Sequence, residues 1–139
     1  MLHSKTKGTI GELAVAKFLA ESGLPVFVEL GDTSKVDLIT IVNDKPITIQ
    51  VKSFKTNDGI INFSFKKSGP NYRFNYKSSD FDYLALHAPD KDEILWLPST
   101  MIDTQINYTF RFDLPKAGQP IKNHYTKYIN CPFLGSVAQ

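Results

Sequence analysis

The chain has 139 residues, of which 42% are hydrophobic and 22% charged, with a formal net charge of +2. That is apolar material enough for a core of its own, in the balance of an ordinary globular protein. No run is long enough for a membrane span and there is no apolar leader, so no membrane partner and a cytoplasmic location are expected. Cys131 is the single cysteine and His3, His87 and His124 lack metal-ligand spacing, which excludes an internal disulfide and argues against a zinc enzyme.

In chain order, Thr9 to Glu21 has helical periodicity and ends at Ser22-Gly23-Leu24-Pro25, a glycine stop followed by proline. Val26 to Leu30 is a short β-branched and apolar run, and Val36 to Val42 is a stronger strand. Asn43 to Pro46 is read as a four-residue turn, after which Ile47 to Phe54 alternates in strand fashion. Asn57-Asp58-Gly59 predicts a second hairpin turn into Ile60 to Phe65. Phe81 to Ala88 and Ile94 to Leu97 read as a strand pair around Pro89 to Asp92. Ser99 is placed as the cap of a short helical turn, and Tyr108 to Phe112 as a last strand. The order of elements predicts an α/β (α+β) layer, a mixed sheet with the first helix packed on one face. We expect one domain over 1–139, with its core at about 5–112 and residues 113–139 unassigned.

With Val42 facing Ile47, the hairpin register sets Asp37 opposite Lys52 and Ile39 opposite Gln50, all four on one side of the sheet. Directly opposed Cβ atoms lie roughly 5 Å apart. A structural alternative is a cross-strand Asp37–Lys52 ion pair, contributing about 0.2–1 kcal/mol. Gln50 and Lys52, however, sit inside the apolar run Ile47 to Lys52, where partly covered polar groups need partners. Glu12 lies three residues after Thr9, the spacing of a Thr-x-x-Glu capping box. On the helical wheel it also shares a face with Gly8, Val15, Ala16 and Leu19, toward the sheet.

No phosphate-cradling glycine loop or Gly-x-Ser-x-Gly turn is present. Asp37 and the Gln50 amide oxygen are hard donors of the kind Mg²⁺ takes, with Mn²⁺ expected to substitute. Lys52 could orient or activate a nucleophile or meet developing charge, and Glu12 could bind metal directly or through water. The set suits in-line attack of water on a phosphodiester.

Gly11-Glu12, Val36-Asp37-Leu38 and Gln50-Val51-Lys52 together resemble the PD-(D/E)XK nuclease arrangement. The wider runs Lys7 to Glu12, Gly31 to Leu38, Gln50 to Ser53 and Phe81 to Ala85 resemble its bacterial branch that includes the cyanobacterial group I intron homing endonucleases. The resemblance implies a restriction-endonuclease-like core and a metal-dependent endonuclease acting on double-stranded DNA. It also implies Glu12, Asp37, Gln50 and Lys52 as catalytic residues, and the Val51 carbonyl as a metal ligand beside Asp37, Gln50 and Glu12. The alternatives are a Holliday-junction-resolving or repair nuclease on the same fold, or a catalytically inactive DNA-binding module. Val36 replaces the motif's proline and Gln50 its acid, which lowers the expected metal affinity. Glu29 and Asp32 are nearby acids able to stand in for Asp37.

Two stretches gather cations without an acid. Residues 61–78 hold Lys66, Lys67, Arg73 and Lys77 among Phe65, Tyr72, Phe74 and Tyr76, and residues 114–130 hold Lys116, Lys122 and Lys127. Lys66, Lys67, Asn71, Arg73, Asn75 and Lys77 are the expected DNA-binding residues. One active site cuts one strand, so double-strand cleavage favours a homodimer, and the resemblance implies a homotetramer.

Overall fold

The computed structural model describes residues 4–69, 72–114, 117 and 123–134. Helix α1 (Ser4–Glu21) begins at Ser4 rather than Thr9. Thr9 therefore lies inside the helix with its hydroxyl donating to the Lys5 carbonyl, and the Thr-x-x-Glu capping box does not form. The helix ends as its glycine predicts. Gly23 adopts φ +82°, its N–H meets the Ala20 carbonyl, and the Leu24 N–H reaches back to Leu19. This double closure satisfies carbonyls that the last turn would leave bare.

Strands β1 (Phe27–Val28), β2 (Leu38–Val42), β3 (Lys45–Ser53), β4 (Ile60–Ser64), β5 (Lys66–Gly69), β6 (Tyr72–Asn75), β7 (Tyr83–Ala88), β8 (Glu93–Pro98) and β9 (Asn107–Arg111) follow, with a short helix α2 (Met101–Thr104) before β9. The central sheet has the order β1-β2-β3-β7-β8, antiparallel throughout except for the parallel β3–β7 step. It is the mixed sheet with an N-terminal helix on one face that the restriction-endonuclease-like expectation requires.

The β2–β3 turn is tighter than the sequence reading. Asn43 and Asp44, at φ 51° and 64°, form a two-residue turn with both residues left-handed, and Val42 pairs with Lys45 instead of Ile47. Such turns match the twist of the strands they join. Pro46 then lies in β3 opposite Ile41. The slip is even, so the alternation of side chains survives while every cross-strand partner changes.

Val15 and Leu19 of α1 are fully buried against Leu38, Ile49, Val51, Ala85 and Trp96. Burying side chains of this size stabilises by about 1.5–3 kcal/mol each. Cys131 and Phe133 enter the same cluster, and the backbone N–H of Trp96 donates to the Tyr128 carbonyl, so part of the stretch without a sequence-based role lies against β8. Leu84, Leu86 and Leu95 face the other way, into an aromatic cluster with Phe65, Tyr76, Phe81 and Phe110.

Two local expectations are corrected. The Asn57 to Gly59 turn forms, with Asn57 and Ile60 exchanging both backbone bonds across it, but no hairpin with the preceding strand follows, because β4 pairs with β9. Its apolar side, Ile61 and Phe63, is buried in the aromatic cluster. Thr100, not Ser99, occupies the position before α2, and it makes no side-chain cap.

Candidate active site

Asp37 stands one residue before β2 begins. Its N–H donates to the Ile49 carbonyl at 2.9 Å, and its Oδ2 accepts the Val51 N–H at 2.8 Å. Strand N–H groups lie near the plane of their sheet, so this carboxylate fills the acceptor place that β2 would take one pair further on. Asp37 is thus held at the end of the sheet, between its two faces.

That position joins groups from opposite sides. Gln50 and Lys52 neighbour Leu84 and Leu86 in the parallel ladder and share their face, away from α1. Glu12 belongs to the stripe that continues through Val15 and Leu19, on the helix face. The expectation that Glu12 looks onto Gln50 and Lys52 across one face is therefore corrected. They meet only around the end that Asp37 occupies. Asp37 is also not directly opposite Lys52, since the ladder's next step past Leu38–Ile49 would bring it to Gln50.

Glu12 comes this close because the residue before it has no side chain. A Cβ on Gly11 would lie 2.9 Å from Cβ of Ser53 and 3.4 Å from Cγ1 of Val51. Helix and strand are in contact there through the glycine's bare backbone.

The charges respond to one another. Burial raises the Glu12 carboxyl above its ordinary pKa, and Asp37 and then Asp32 raise it further. Burial also raises Asp37, against the Val51 N–H and the Lys52 ammonium that favour its charged form. Lys52 is lowered by burial, with Asp37 opposing. Gln50 is only 7% exposed, and its Nε2 lies 3.3 Å from the Val51 carbonyl oxygen.

A family model for PD-(D/E)XK endonucleases matches residues 2–129. The chain belongs to the PD-(D/E)XK endonuclease family. Among solved structures it is similar to the bacterial homing endonuclease I-Ssp6803I, at 20% identity over 91% of this chain and 88% of that one, with a TM-score of 0.72. It is also similar to the Holliday junction resolvase Hjc of Archaeoglobus fulgidus, at 18% identity over 76% and 84% of the two chains, with a TM-score of 0.49. Comparison with curated proteins gives no match.

In this PD-(D/E)XK chain, Glu12 and Asp37 line a cavity of 450 Å³ together with Lys5, Glu29 and Asp32. Gln50 and Lys52 are not part of its lining. The two oxygens of Glu29 accept the N–H and hydroxyl groups of Thr33 and Ser34, which hold its pKa at about 2. Asp32, named from the sequence as a nearby acid, lies in the same lining as Glu12 and Asp37. Its place in the Gly31-Asp32 run was the signal for it. Among the described residues no three His, Cys, Asp or Glu side chains assemble a ready metal cage.

Of the expected DNA contacts, Lys66 and Asn75 are exposed cross-strand partners in the antiparallel β5–β6 hairpin. Lys67 and Arg73 belong to the same hairpin by their backbone. Lys77 is exposed just beyond it, and Asn71 lies outside the described residues. Of the second basic stretch, Lys127 lies with its Nζ 5.8 Å from the centre of the Tyr128 ring, while Lys116 and Lys122 lie outside the described residues. No helix among the described residues is long and apolar enough to cross a membrane.

Proposed function

We propose that this chain is a divalent-metal-dependent endonuclease hydrolysing phosphodiester bonds in double-stranded DNA at a defined site, in the manner of a homing endonuclease. Glu12, Asp37, Gln50 and Lys52 are its catalytic residues on this reading. The observation that carries it is the Asp37 carboxylate at the sheet end, bonded through one oxygen to the Val51 N–H. That bond leaves Oδ1 to face a ligand, with Glu12 on one side and Lys52 on the other.

The donor set fits a hard cation. Beyond burial, Asp37 and Asp32 raise the Glu12 carboxyl, and Asp32 and Glu29 raise that of Asp37, the mark of negative charge in want of a counter-ion. A half-turn of the Gln50 amide would replace Nε2 by Oε1 beside the Val51 carbonyl, and two adjacent oxygens are favourable only around a cation. Asp37, Gln50, the Val51 carbonyl and Glu12 would hold Mg²⁺, with Mn²⁺ a workable substitute. The bound ion would supply a water of lowered pKa and a Lewis acid for the phosphate. Lys52 directs its N–H groups at the nucleophile or at the charge gathering on phosphate oxygens. Asp37 holds its geometry through the Val51 N–H, and Glu12 closes the site from the helix side.

The β5–β6 hairpin supports a duplex target, because a two-stranded ribbon fits the major groove, where base edges are distinguishable. Lys66 and Lys77 would meet phosphates there, with Asn75 near base edges, and Lys67, Asn71 and Arg73 belong to the same proposed set of contacts. The likeness in fold to a bacterial homing endonuclease supports site-specific cutting. Cutting both strands asks for two such sites, hence a homodimer or homotetramer.

The test is nicking of supercoiled plasmid with Mg²⁺ against EDTA. Asp37→Ala and Lys52→Ala are expected to abolish nicking and keep DNA affinity within about three-fold, since phosphate contacts carry the affinity. Cutting that survives both substitutions shows that the site lies elsewhere. Preference for four-way junctions over linear duplex removes the homing reading, and binding with no Mg²⁺-dependent nicking leaves a DNA-binding module.

A further inference from the structure

Tyr76 follows directly on β6 and is 5% exposed, although it comes from the basic stretch assigned to DNA. Its N–H donates to the Phe65 carbonyl at 3.0 Å, closing the root of the β5–β6 hairpin. Its ring is gripped edge-on by Phe81, with centroids 5.3 Å apart at 79°. The Nζ of Lys52 lies 5.8 Å from the centre of that same ring.

The loop after Tyr76 is fastened as well. Lys35, two residues before Asp37, pairs with Asp80 at 3.2 Å and donates to the Asn75 carbonyl at 3.4 Å. Asp80 also accepts the Lys77 N–H at 2.8 Å. Tyr76 therefore sits in a closed chain of contacts running from the lead-in of β2, through the hairpin root, to Lys52.

A lysine has a flexible stem and a point charge, and a catalytic role needs both fixed. The face of a tyrosine ring attracts an ammonium within about 6 Å of its centroid. We propose that Tyr76 is a positioning residue, whose buried ring fixes the Lys52 ammonium beside Asp37 for the cleavage step. The proposal rests on the nuclease reading above.

It is tested by single-turnover cleavage of supercoiled plasmid at saturating protein in Mg²⁺, with duplex affinity measured in Ca²⁺. Tyr76→Leu is expected to slow the saturating rate about ten-fold or more while affinity stays within about two-fold. Tyr76→Phe keeps the ring and is expected to stay within about three-fold of the wild-type rate. Equal losses in both variants would make the hydroxyl the active part and overturn the proposal. So would an undiminished rate in Tyr76→Leu, or a loss confined to affinity.

Should the leucine variant fail to fold, proton NMR of the wild-type protein decides. The Lys52 ε-methylene protons are expected upfield of their random-coil position, because the ammonium they adjoin lies over the ring, and random-coil values overturn the proposal. A wild-type protein that cuts nothing defeats the nuclease reading itself. A cutting wild type with an equally fast leucine variant defeats only the role of Tyr76.

Discussion

In a Gly11→Ala variant the new methyl would stand 2.9 Å from the Ser53 Cβ and 3.4 Å from Val51 Cγ1. Non-bonded carbons settle at about 3.5–4.0 Å, so the helix must retreat by roughly 0.6–1 Å at this point. Overpacking of this kind costs about 1–3 kcal/mol, and the helix preference of alanine over glycine returns about 1 kcal/mol. The net loss of stability is then about 0–2 kcal/mol, which leaves a folded protein. Glu12 moves with the helix, and a misplacement of about 1 Å in a catalytic group costs on the order of 100-fold in rate. The variant should therefore melt close to the wild type yet nick plasmid about 100-fold more slowly. Adding Ser53→Gly removes the obstructing carbon, and despite the lost bond to His87 it should recover most of the rate. Thermal melts and single-turnover nicking measure the two effects separately. Gly11→Ala cutting at the wild-type rate would show that the helix–strand approach does not set Glu12, and failure of the Ser53→Gly rescue would place the damage elsewhere.

Gln50→Glu adds a charge to a nearly covered position beside Asp37. Without metal it should melt lower, and its half-saturating Mg²⁺ should fall about ten-fold; an unchanged metal requirement would remove Gln50 from the ligand set. His87 is buried with its Nδ1 2.9 Å from the Ser53 hydroxyl, and burial lowers its pKa below 6.5. Below that value the unfolded chain binds the proton more readily, so this stability is complete at higher pH and is lost as pH falls through the window beneath 6.5. Melting from pH 8 to 5 should show a smaller acid drop in His87→Gln, and an identical drop would clear His87 of the effect. Lys66→Ala should weaken duplex binding about equally on all sequences and lower the salt slope of log affinity by about 1. A change confined to one sequence would make Lys66 a reader of bases.

The first helix was legible because apolar periodicity and a glycine stop agree on it, and only its start was misplaced, where Ser4 to Gly8 carries no apolar residue to extend the pattern. The β2–β3 hairpin was legible in parity and wrong in register. Pro46 suggested a wider turn, while Asn43 and Asp44 could take the left-handed backbone that a two-residue turn demands. Asp37, Gln50 and Lys52 stayed grouped because the slip was even. Glu12 and Lys52 are divided between opposite faces because α1 packs on the side of β3 that carries Ile49 and Val51, and what was not readable is Asp37 leaving its ladder to bond Val51 between them. Pairing of β4 with β9 joins residues far apart in sequence, which local turn chemistry cannot report. The Ser68-Gly69-Pro70-Asn71 run was a turn signal that would have revealed the β5–β6 hairpin. The partner of Tyr76 was hidden, because no spacing rule links it to Lys52.

Two parallel strands cannot be closed by a tight turn, and the β3–β7 step obliges the chain to make a long detour. That detour carries β4, β5 and β6. Its outer part can be lengthened, shortened or exchanged while the strands holding Asp37, Gln50 and Lys52 stay as they are, provided the Tyr76 attachment is kept. On the proposed reading, recognition and scission would then lie on separable stretches of the chain, and a change of DNA address need not disturb the blade.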